Sequence, residues 1–74
     1  MEVEDRLARL VPHWIEHNDS HAEQFAEWAG KAREAGLSAA ADEIEAAARA
    51  MKQANERLEN VRGRLPQAEG QGHG

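Results

Sequence analysis

Three of the four histidines in this 74-residue chain stand at His13, His17 and His21. Steps of four residues keep all three along one strip of a helix. Imidazole nitrogen suits nickel, zinc, copper or iron, so the spacing points to divalent-metal coordination. Counted at about 100° per residue from His13, His17 lies near 40° and His21 near 80°; Trp28 falls at about 60°, Trp14 at about 100° and Phe25 at about 120°. On this reading His21 points into an apolar face, His17 borders it and His13 flanks it.

Imidazoles at i and i+4 have Cβ atoms about 5–6 Å apart and can share an ion. His13 and His21 are separated by about 12 Å of helical rise and cannot. The usable pairs are His13 with His17, or His17 with His21. Further ligands must come from Glu16, Glu59, Asn55, water or a second copy of the chain. Coordination requires neutral imidazole, so binding is expected to weaken in acid.

Other chemistries find little support. The Glu-x-x-His pairs of di-iron bundles are missing, as is the His-Glu-x-x-His of zinc proteases. Ser20 and Ser38 are the only serines, and neither has a base placed by spacing. No enzyme is expected. With no cysteine, disulfides and thiolate metal sites are excluded. The formal charge is −5, from nine Lys+Arg against fourteen Asp+Glu, which argues against a phosphate-tracking nucleic-acid binder. No apolar run approaches the roughly 18–20 residues of a membrane span, and no signal-peptide pattern opens the chain; the expected location is the cytoplasm.

The elements that carry the histidines follow from periodicity. Leu37, Ile44, Met51, Leu58 and Leu65 recur every seven residues, with Ala40, Ala47, Ala54 and Val61 between them. That 3–4 stripe predicts a helix over 38–64 with a coiled-coil-like seam, packed tightly along its alanine row. Gly36 suits a helix C′ position, Leu37 closes the turn, and Ser38 is the expected N-cap with Asp42 in the first turn. So short a turn makes the flanking helices antiparallel. A helix is expected over 12–35, with Pro12 in its first turn and a break before it. Residues 2–11, with Val3, Leu7, Leu10 and Val11, form a separate short helix on this reading. The domain spans 1–65, and the polar, Gly-rich segment 66–74, which holds His73, is expected to be disordered.

Folding the hairpin about Gly36 pairs positions that sum to about 72–73. His21 then faces Met51 and Lys52, His17 faces Asn55 and Glu56, and His13 faces Glu59 and Asn60. Asn18 and Asn55 interrupt two apolar stripes at one height and form a polar core layer, which must be hydrogen-bonded, hydrated or metal-filled. Of the 30 hydrophobic residues, 15 are alanine, so one hairpin has too little bulk to stand alone. Two copies are expected to pair into a four-helix bundle. A competing reading has structural histidines that set packing register in a helical oligomerisation or interaction module.

The run Pro12-His13-Trp14, His17-Asn18, His21-Ala22, Phe25 and Trp28-Ala29 gives a PHWxxHNxxHAxxFxxWA signature. It resembles a small bacterial and archaeal helical-hairpin family. That family is similar to a domain found alone or appended to nickel-binding accessory proteins of carbon monoxide dehydrogenase maturation. The resemblance covers about residues 7–61. It implies metal handling, with His13, His17 and His21 as the matching positions, and a metalloprotein maturation partner.

Overall fold

The computed structural model describes residues 2–65, which form two α-helices and no strand: α1 over Glu2–Glu34 and α2 over Ser38–Gly63. The expected disorder of segment 66–74 lies outside the described residues. The helices pack side by side and antiparallel, in a slab of 53 × 20 × 14 Å.

The reversal rests on Gly36, whose φ of +84° is open to glycine at little cost. The Leu37 N–H donates to the Ala32 carbonyl at 2.8 Å and the Gly36 N–H to the Arg33 carbonyl at 3.0 Å. These bonds satisfy the last carbonyls of α1 in a Schellman closure. Ser38 is not the cap of α2: Leu37 holds that position, with no side-chain cap hydrogen bond. Asp42 lies beyond the first turn, which contains no acid.

The separate N-terminal helix is corrected. α1 runs unbroken through Pro12, although the proline leaves the Ala8 carbonyl without its helical donor. Burial on both sides holds the helix together. Leu7 and Ala8 before the proline and Ile15 after it are half-buried, and Val11 is fully buried.

The hairpin interior is narrow. On α1 it follows Ala8, Val11, Ile15, Asn18, Ala22, Phe25 and Ala29; on α2 it follows Ala41, Ile44, Ala48, Met51, Asn55 and Leu58. Val11, Ala22, Ala29 and Ala41 are its buried apolar residues, and Asn55 its buried polar one. The alanine row Ala40, Ala47 and Ala54 does not pack against α1; it is exposed. The row that meets α1 is Ala41, Ala48 and Asn55, a rotation of α2 by about 50° from the expected seam. On α1 the interior centres near roughly 170° on the wheel given above, about 110° away from the strip of histidines and tryptophans.

Both displacements run in the same sense along their own helices. Because the helices are antiparallel, equal senses carry both displaced stripes to the same side of the slab. One broad face therefore presents Leu10, Trp14, His17, His21 and Trp28 from α1 beside Ala40, Ala47 and Ala54 from α2. The cross-helix ion pairs occupy the other side: Lys52–Asp19 at 3.1 Å, and Arg33 with Asp42 and Glu45 at 3.0 Å each. Hydrogen bonding to Asp42, then the Glu45 carboxylate, raises the Arg33 guanidinium above its ordinary range.

Candidate metal site

The site is built on the middle of α1, where helical spacing stacks imidazoles without help from α2. The Nε2 atoms of His17 and His21 stand 3.0 Å apart, and one ring N–H donates to the other nitrogen. The ring planes cross at 86° with centroids 4.5 Å apart, an edge-to-face contact that brings the two nitrogens together. His21 is half-buried and stacks on Phe25 at 5.9 Å, which fixes one ring of the pair. His17 is exposed. The pair looks out from the apolar face and not into the hairpin, which corrects the placement of His21 inside.

His13 stacks on His17 with centroids 6.4 Å apart, against 4.5 Å between His17 and His21. It also borders a surface depression lined by Arg6, Arg9 and Leu10. Two guanidinium groups there disfavour a cation.

The carboxylates stay away. Glu59 is paired with Arg62 at 3.3 Å, on the ion-paired flank of α2. Glu16 lies about 100° around α1 from His17. Among the described residues no group of three or more His, Asp or Glu is positioned to hold a metal ion. One chain therefore supplies two adjacent imidazoles, with Glu16, Glu59 and His13 outside the pair.

Asn18 and Asn55 lie beneath the histidines, in the hairpin interior. The Asn18 Nδ2 donates to the Asn55 Oδ1 at 3.0 Å, and the Asn55 Nδ2 donates to the Asp19 Oδ1 at 2.9 Å and to the Ile15 carbonyl at 3.1 Å. Asn55, 7% exposed, thus has both amide hydrogens and its oxygen engaged. Within this layer Asn55 is satisfied by protein groups alone.

A family model for a domain of unknown function, DUF8180, matches residues 7–65. The chain belongs to the DUF8180 family. No curated protein and no solved structure matches it. The DUF8180 match begins beside Leu7 and ends at Leu65, so it takes in the hairpin, the histidine strip and the asparagine layer together. Among the described residues no helix is long and apolar enough to cross a membrane.

Proposed function

We propose that this DUF8180 protein is a small non-catalytic binder of a divalent metal ion, nickel or zinc, with His17 and His21 as its ligands. The observation that carries this reading is the 3.0 Å separation of the two Nε2 atoms. Two imidazoles on one ion, each at about 2.0–2.1 Å and subtending roughly 90–109°, have nitrogens about 2.9–3.4 Å apart. The pair meets that spacing with little rearrangement: the ring that donates from Nε2 would carry its proton on Nδ1 instead, which leaves both Nε2 lone pairs free for the cation. Deprotonated imidazole is the donor form, so acid competes with metal.

Phe25, stacked on His21 at 5.9 Å, orients one ring. The remaining coordination positions fall to water or to donors from outside the chain. A bound ion would supply charge and ligand exchange, as storage or delivery requires. The resemblance of the PHWxxHNxxHAxxFxxWA run to a domain of nickel-binding accessory proteins supports the same reading, and a metalloprotein under maturation is the corresponding partner.

Calorimetric titration of the metal-free chain with nickel and with zinc tests it. The expected result is saturable binding that His17→Ala and His21→Ala each remove. Equal binding by His17→Ala overturns it, as does a wild-type chain that takes up neither ion.

A further inference from the structure

The broad face that carries the histidines is rich in exposed apolar side chains, with the Lys31 ammonium 4.4 Å from the Trp28 ring centroid at its edge. Trp28 is 58% exposed, Leu10 41% and Trp14 39%, while the opposite flank holds the ion pairs. Burying such side chains is worth about 1.5–3 kcal/mol each, and a soluble domain rarely leaves them in one contiguous patch.

We infer that this face is covered by a second copy of the chain, related by a two-fold axis that crosses both helices at the height of Asp19 and Lys52, so that α1 packs antiparallel on α1 and α2 on α2. An isologous contact requires that each residue meeting another be met by it in return. On α1 four residues of the exposed stripe mirror one another about position 19, while Trp14 reflects onto the exposed Gln24. Leu10 and Trp28 lie nine residues on either side of it, and His17 and His21 two on either side.

On α2 a centre between positions 52 and 53 sets each exposed alanine opposite a larger side chain that is half-buried at the edge between this face and the hairpin interior. Ala40 reflects onto Leu65, Ala47 onto Leu58, and Ala54 onto Met51. Small opposite large is what close packing of two like helices needs. The two centres were located independently, one on each helix. The structure puts them side by side, since the Lys52 Nζ sits 3.1 Å from the Asp19 carboxylate. One axis therefore serves both helices.

The area is adequate. A face of 53 × 20 Å presents roughly 1,000 Å², against about 800 Å² buried per partner in a standard interface. The register also sets His17 of one copy beside His21 of the other, so the axis passes through the proposed ligand pair. The packing argument does not depend on metal.

The test uses the intact chain in the presence of a chelator. Sedimentation equilibrium is expected to give twice the 8.2 kDa chain mass. Nuclear Overhauser contacts are expected between the Leu10 methyls and the Trp28 indole. Within one helix these groups are about 27 Å apart, so the contact can arise only between copies. Trp28→Glu should weaken association at least tenfold with helical circular dichroism unchanged. A monomer at millimolar concentration overturns the inference, and so does a dimer that lacks the Leu10–Trp28 contact. Metal uptake by a monomer would sink this arrangement while leaving the proposed function standing; a metal-blind dimer would do the reverse.

Discussion

The side-chain amides of Asn18 and Asn55 meet at 3.0 Å across the hairpin interface, and this bond fixes which height of α1 lies against which height of α2. Around it the interior is mostly alanine and small aliphatic side chains, which would tolerate sliding. An amide pair does not, because a shift of one turn leaves both groups buried and unpaired.

Asn55→Ala removes one acceptor and two donors from that layer. It strands the Asn18 amide and should cost about 1–3 kcal/mol. Urea denaturation followed by circular dichroism measures it. A change below about 0.5 kcal/mol would show that water replaces the layer freely.

Metal should stabilise the fold by mass action. At a free concentration one hundred times the dissociation constant, nickel or zinc should add about 2.7 kcal/mol. For a domain of this size that is a rise on the order of 10–20 °C in melting temperature. His17→Ala should abolish the rise, a chelator should reverse it, and His13→Ala should retain it. Lowering the pH should diminish it as protons compete for the imidazoles. A rise that survives His17→Ala but not His13→Ala would relocate the site.

Two glycines should respond with opposite signs. Gly30 is helical and a Cβ added there meets nothing within 4 Å. Gly30→Ala should therefore gain up to about 1 kcal/mol. Gly36 has equally open surroundings, but its φ is +84°, so Gly36→Ala should lose about 1–2 kcal/mol through the backbone alone. Thermal melts of the two variants, run side by side, read the difference.

Pro12→Ala restores a donor to the Ala8 carbonyl within a continuous helix. It should raise stability by up to about 3 kcal/mol, seen as a higher denaturant midpoint at unchanged slope. A destabilised variant would show that the proline ring itself packs in a way alanine cannot replace.

The helix count and the reversal at Gly36 were legible because the signals are local. A glycine C′ and a heptad stripe need only a few neighbouring residues. Heights were legible too, since Asn18 and Asn55 interrupt two stripes in step. Rotation was not. Each helix carries an apolar band wide enough for two neighbours, and periodicity does not say which edge of a band faces the partner in the same chain. The expected seam has Trp14, His21 and Trp28 on α1 and, on α2, the large row through Ile44, Met51 and Leu58 together with Ala40, Ala47 and Ala54. In the structure Ile44, Met51 and Leu58 stay in the interior, but Ala41, Ala48 and Asn55 replace the other alanine row, and Val11, Ala22 and Ala29 replace the tryptophans. The unused clue was charge: Asp19 with Lys52, and Arg33 with Asp42 and Glu45, must lie together on one flank, which turns the histidines to the other. Pro12 misled for a different reason. Its local penalty is real, but burial on either side of it outweighs the loss of one hydrogen bond.

Among the described residues the chain turns back once, at Gly36, so Glu2 and Gly63 finish at the same pole of the rod. A bulky group attached at either of these residues crowds that pole and leaves the turn at the far end clear. Fluorophores placed at Glu2 and Gly63 would sit close together while the hairpin is shut and separate when it springs open, giving a direct optical report of unzipping.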